Sequence, residues 1–223
     1  MTICRVKNAE KGIEFAFNLL INLLEKADIF RLCISGGSTP EHLFKKLNEY
    51  CCSNPIIASK IKICWVDERN LPYDSERSNY GNAKRVFPFL DKLQHVPIPF
   101  SENSGEIPDK YLDLLIENGF IHNNEFIVDL TILGMGADGH TASVFPNTAL
   151  KNTNNFVAIS SFENMPEDRI TLLPATINQS KEKIAMVFGK GKKNILKQCL
   201  SGNEKYPFTS VLHNTIIITD QDV

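Results

Sequence analysis

Apolar residues along this chain fall into two patterns: short continuous runs, and stripes repeating every three to four positions. A continuous run of four to eight apolar residues reads as a strand buried on both faces, and the stripe reads as one face of a helix. Residues 9–27 carry the helical spacing around much of their circumference, which predicts a well-buried helix. Residues 29–34 form the first strand run, followed by a helix that ends near Tyr50. Residues 61–66, I-K-I-C-W-V, form the next strand, and its only tryptophan, Trp65, reads as core. Four prolines make residues 86–108 a connection, and residues 109–118 a short helix. The run 126–133 predicts a central strand, and Asn152, Asn154 and Asn155 mark a surface excursion after it. Residues 156–159, 183–188 and 215–219 complete the strands, with a helix beginning in Gly189-Lys190-Gly191-Lys192. This alternation predicts an α/β fold, an open, largely parallel Rossmann-like sheet with helices on both faces. No repeat or linker divides the chain, so one domain spanning residues 1–223 is expected.

In such sheets ligands bind beyond the carboxyl ends of the strands, and three of these strands end in chemistry. The 126–133 run passes into L-G-M-G-A-D-G-H-T-A-S-V-F-P, where Gly134, Gly136 and Gly139 allow close backbone approach to a ligand. Asp138 and His140 sit within it, and a histidine there can act as a general base near neutral pH. The glycines also spell G-x-G-x-x-G, but a dinucleotide site needs a helix running on, and Pro146 follows Gly139 by seven residues. A metal would require further ligands, and no second cluster supplies them. A structural turn capped by the histidine is the third reading.

The 29–34 strand leads into Ser35-Gly36-Gly37-Ser38-Thr39-Pro40. Ser38 and Glu41 spell a capping box, and free N–H groups there would make an anion site with the Ser38 and Thr39 hydroxyls. The Walker spacing is absent. The 61–66 strand ends in Asp67-Glu68-Arg69, either functional charges at a strand end or a solvated ion-pair turn.

Charge adds a constraint. The chain has 24 Lys and Arg against 26 Asp and Glu, a formal net charge of −2, which argues against nucleic acid or an anionic membrane as partner. A phosphate site would have to be a local set of donors. Six cysteines are scattered without a C-x-x-C, and Cys33 and Cys64 lie within strand runs as small core residues. The N-terminal residues lack the apolar core of a secretory signal, and the segment 15–24 is too short to cross a bilayer. A reducing, cytoplasmic setting is expected.

Taken together, S-G-G-S-T-P, D-E-R with the following S-N-Y, D-G-H-T-A-S-V-F-P and the R-I-T of residues 169–171 resemble the ordered motifs of 6-phosphogluconolactonases. The resemblance runs from about Arg31 to the C-terminus, although isoleucines occupy the last strand where that family often has tryptophan. It implies hydrolysis of 6-phospho-D-glucono-1,5-lactone in the pentose phosphate pathway, with no metal and no organic cofactor. It implies His140 as base, with Asp138, Asp67 and Arg69 around the reacting carbon, Arg69 alternatively contacting the phosphate. Gly36, Gly37, Ser38, Thr39, Arg169 and Lys192 would then hold the phosphate, with Lys190 and Lys193 as alternatives to Lys192. Related glucosamine-6-phosphate deaminases resemble D-E-Y at the second motif and I-A-F-N-E-P after D-G-H. Here Arg69 and Phe145 stand at the tyrosine and glutamate positions. A sugar-phosphate sensor of the same fold is a non-enzymatic alternative; such proteins usually carry a DNA-binding extension.

Overall fold

The computed structural model describes residues 1–151, 153–161 and 166–223. Asn152, part of the expected Asn-rich excursion, lies outside them. Thirteen strands are β1 (Thr2–Arg5), β2 (Phe30–Ile34), β3 (Ile61–Trp65), β4 (Asp67–Arg69), β5 (Gln94–Val96), β6 (Ile121–His122), β7 (Glu125–Phe126), β8 (Leu130–Gly134), β9 (Leu150–Lys151), β10 (Val157–Ser160), β11 (Arg169–Leu172), β12 (Glu182–Val187) and β13 (Thr215–Thr219). Seven α-helices accompany them: α1 (Ala9–Lys26), α2 (Ser38–Ser53), α3 (Pro55–Ala58), α4 (Asn79–Val86), α5 (Ile107–Glu117), α6 (Pro174–Ile177) and α7 (Lys193–Leu200).

Seven strands form one parallel sheet in the order β1-β13-β12-β8-β2-β3-β5, flanked by helices. From β2 the chain builds outward through β3 to β5. It then returns to the other side of β2 with β8 and builds outward again through β12 and β13. The order therefore reverses between β2 and β8, which opens a crevice at their carboxyl ends. Apolar runs fill the centre of the sheet: Leu32, Ile34, Leu130, Ile132 and Ile184 are all buried. Each such side chain contributes about 1.5–3 kcal/mol by leaving water.

A second, antiparallel sheet runs β4-β11-β10-β9 over this crevice's chemistry, since it carries D-E-R on β4 and R-I-T on β11. Its existence rules out the alternative of a solvated ion-pair turn at Asp67-Glu68-Arg69, where Asp67 and Glu68 are buried. The backbone of β4 is satisfied by pairing with β11, Arg69 opposite Arg169 and Asp67 opposite Thr171. β1 and β5 at the edges of the main sheet are also additions, the latter inside the proline-punctuated connection.

Two further expectations change. The run 126–133 is not one strand: Phe126 ends a hairpin with β6, turning at Asn123 and Asn124 with φ of 52° and 60°, and β8 starts at Leu130. Asp129 divides them. Its carboxylate accepts the Arg31 backbone N–H at 2.8 Å and the Lys181 ammonium at 2.7 Å, which pins the chain before β8 begins. The capping box at Ser38 and Glu41 does not form either. Gly37 occupies the cap with φ of 112°, open to glycine but strained for other residues, and makes no side-chain cap bond. Ser38 becomes the first helical residue. Trp65, Cys33 and Cys64 are buried as expected, and all six cysteines are free.

Candidate active site

At the carboxyl ends of β2 and β8 lies an open cleft of about 240 Å³. Gly36, Gly37, Ser38, Thr39, Asp67, Arg69, His140, Arg169 and Lys192 all line it. Asp138, exposed beside the cleft and bonded to His140, does not line it, and of the three candidate lysines Lys192 lines it whereas Lys190 and Lys193 do not. Ser35, Asn79, Ala142 and the sulfur side chains Met135 and Met186 also line it and were not singled out as site residues.

The 134–145 loop is knitted to itself. The Gly136 N–H donates to the His140 carbonyl at 2.9 Å, and the Thr141 hydroxyl donates to the Gly134 carbonyl at 3.0 Å. Thr141 and Val144 exchange backbone bonds around Ala142, whose φ of 50° is unusual for a residue with a side chain. A Cβ at Gly136 would stand 2.1 Å from His140 Nδ1 and 2.6 Å from Asp138 Oδ1. Only glycine lets that pair close over the backbone.

Asp138 Oδ1 lies 2.6 Å from His140 Nδ1 and also accepts the His140 backbone N–H at 3.1 Å. Burial alone would raise the Asp138 carboxyl. The backbone N–H, charge and ring of His140 outweigh it and hold the carboxyl below its ordinary value. An ionised carboxylate only accepts, so Nδ1 carries the hydrogen and Nε2 keeps its lone pair. A histidine so arranged can take a proton and have the resulting cation stabilised.

Asp67 is buried, and one of its oxygens accepts the buried Ser143 hydroxyl at 2.7 Å. This bond ties β4 to the 134–145 loop. Glu68, its neighbour, is structural. Its carboxylate accepts the backbone N–H groups of Arg69, Asn79 and Tyr80 and the Ser78 hydroxyl, at 2.7–3.0 Å. Burial raises the Glu68 carboxyl above its ordinary value in spite of these bonds. The effect is to fix the start of α4, and with it Asn79, whose side chain donates to the Asp67 carbonyl at 2.9 Å. A Cβ at Gly36 would collide with that same side chain.

Arg69 and Arg169 face each other across an antiparallel pair, where like charges repel. The Nε atoms of both are buried with no hydrogen-bond partner among the described residues. Burial, and then the charge of Arg69, lower the Arg169 pKa; burial lowers that of Lys192. The start of α2 adds its unpaired first N–H groups; Pro40 has none, and that of Glu41 is taken by the Gly37 carbonyl at 3.2 Å. Crowded cations beside a helix start can hold a compact anion. Among the described residues no group of three or more His, Cys, Asp or Glu could hold a metal, and no helix is long and apolar enough to cross a membrane.

Fold and cleft together define an α/β protein with clustered cations and a carboxylate-held histidine at a strand-order reversal. The chain belongs to the family described as glucosamine-6-phosphate isomerases/6-phosphogluconolactonase, whose model it matches over residues 7–218. It is 33% identical over 195 residues to a 6-phosphogluconolactonase of Chlamydia pneumoniae, covering 84% of this chain and 73% of that one. To the Homo sapiens 6-phosphogluconolactonase it is 30% identical over 193 residues, covering 82% and 73%. The crystal structure of the Thermotoga maritima 6-phosphogluconolactonase superimposes with a TM-score of 0.79 at 26% identity, covering 97% of both chains.

Proposed function

We propose that this chain hydrolyses 6-phospho-D-glucono-1,5-lactone to 6-phospho-D-gluconate, with His140 as the general base that activates water. The enzyme class is 6-phosphogluconolactonase, a lactone hydrolase of the pentose phosphate pathway. The observation that carries the mechanism is the Asp138–His140 pair, 2.6 Å apart, on the wall of a cleft that also gathers Arg69, Arg169 and Lys192.

The substrate phosphate sits on the first N–H groups of α2 with Arg169 and Lys192, which places the lactone ring toward His140. Nε2 takes a proton from water as the oxygen attacks the lactone carbon. Asp138 stabilises the imidazolium, and Arg69 stabilises the oxyanion of the tetrahedral intermediate. Collapse of the intermediate breaks the bond to the ring oxygen, which receives the proton back from His140. One water is consumed, and the base is regenerated. Asp67, held by Ser143, accepts a hydrogen bond from a substrate hydroxyl.

Phe145 and Arg69 argue against deamination, because neither supplies the ionisable group that resembles the deaminases at those positions. The test is an assay of the purified protein on both substrates. Hydrolysis of the lactone above its spontaneous rate, with no ammonia released from glucosamine 6-phosphate, is expected. Ammonia release at a comparable rate would overturn the assignment, and so would hydrolysis no faster than the spontaneous reaction.

A further inference from the structure

Phe145 touches both halves of the site. Its ring centroid lies 4.6 Å from that of His140, the planes tilted by 41°. The guanidinium carbon of Arg169 lies 5.5 Å from the same ring centroid, within the range of a cation–π contact. One half-buried aromatic side chain thus meets the imidazole assigned to proton transfer and the cation assigned to phosphate.

The position of the ring is set by its backbone. Phe145 leaves the loop immediately after the Thr141–Val144 bridge, and Ser143 is anchored to Asp67 at 2.7 Å. Both contact partners keep a side-chain freedom that this ring can restrict. His140 has its Nδ1 direction set by Asp138, but a hydrogen bond to one ring atom leaves rotation about that bond open. A ring packed 4.6 Å away at a tilt of 41° restricts that freedom. Arg169 leaves Nε without a partner among the described residues and stands opposite another arginine. A π face is the one favourable contact that does not compete with phosphate oxygens for its N–H groups.

We propose that Phe145 is a positioning residue shared by the two functions, orienting the His140 ring for proton transfer and the Arg169 guanidinium for phosphate. The proposal rests on the lactonase reading given above. It differs from a packing role in what it demands of kinetics. Loss of the ring lowers kcat through His140 on any lactone, and raises KM through Arg169 on the phosphorylated one alone.

The test compares Phe145→Leu and Phe145→Tyr with the parent on 6-phosphogluconolactone and on unphosphorylated glucono-1,5-lactone. Contacts of this kind correspond to about three- to tenfold each. Phe145→Leu is expected to lose that much kcat on both lactones and to gain that much in KM only on the phosphorylated one. Phe145→Tyr, which keeps the ring, is expected to restore both. Binding of the product 6-phosphogluconate, measured by calorimetry, gives a readout independent of turnover. It should weaken several-fold in Phe145→Leu and recover in Phe145→Tyr. Unchanged product affinity in Phe145→Leu overturns the proposal whatever the reaction proves to be. So does a rise in KM that is equal on the two lactones, or a defect that tyrosine does not restore. Failure of the lactonase reading shows separately, as a parent protein that does not accelerate hydrolysis.

Discussion

At the scale of single residues, the proposed roles separate binding from chemistry. His140→Asn keeps a planar polar side chain but removes the proposed base, so kcat is expected to fall by about 10²–10⁴ with KM little changed. Turnover within threefold of the parent, in a folded variant, would remove His140 from the mechanism. Arg169→Ala and Lys192→Ala act on the other half. Each is expected to raise KM for the phosphorylated lactone on the order of tenfold or more, the scale of one charge-assisted hydrogen bond. Glucono-1,5-lactone should be handled by these variants as by the parent. Equal losses on both lactones would assign the two cations to the fold or the chemistry. Gly136→Ala belongs with His140, because the added methyl would occupy the space of the Asp138–His140 contact. A kcat defect with an intact melting transition is expected from assays run beside thermal denaturation.

At the scale of elements, buried composition explains what the sequence disclosed. Parallel strands covered on both faces must be apolar throughout, so β2, β3, β8, β12 and β13 announced themselves as runs. The antiparallel β10 is legible in the same way from its buried apolar run, but short edge and charged strands leave no such trace. β4 consists of Asp67, Glu68 and Arg69, three charged residues whose strand character comes from pairing with β11. The site was legible where glycine and charge meet a strand end, as at Gly36 and His140. Ser143 and Asn79 were harder to single out, since their importance lies in bonds to Asp67, distant in sequence. Lys183 was equally silent. It lies within β12 between Thr131 and Thr215, fully buried, and its Nζ has no hydrogen-bond partner among the described residues. Burial lowers its pKa from the ordinary 10.5, so the folded state binds fewer protons than the unfolded one as pH approaches that value. Lys183 therefore costs stability at neutral pH, and the cost is relieved as pH rises toward about 10.4. Lys183→Met, of similar volume, should raise the melting temperature at pH 7, with a gain that shrinks as pH approaches 10. A gain independent of pH would show that packing and not charge is responsible.

At the scale of the whole molecule, a chain with net charge of −2 concentrates Arg69, Arg169 and Lys192 around one cleft. The rest of the surface then carries the balancing negative charge, so attraction for a phosphorylated substrate is local and screened by salt. Rising ionic strength should lower kcat/KM for the phosphorylated lactone while leaving the neutral one nearly unaffected. An equal response from both would mean that salt acts on the protein and not on the encounter.

The reversal of strand order between β2 and β8 has a consequence in time as well as in space. Leu32 and Leu130 are neighbours in register although 98 positions separate them. Closing that span is entropically slow, and the nearer pairing of β2 with β3 requires no such wait. The proposed mechanism needs both lips of the crevice, so a species that has assembled only the first half of the sheet is expected not to turn over substrate. During refolding from denaturant, the fluorescence of Trp65 on β3 reports the early pairing, whereas recovered hydrolysis reports the long closure. The enzyme's own turnover is thus a clock for the last topological step of its folding.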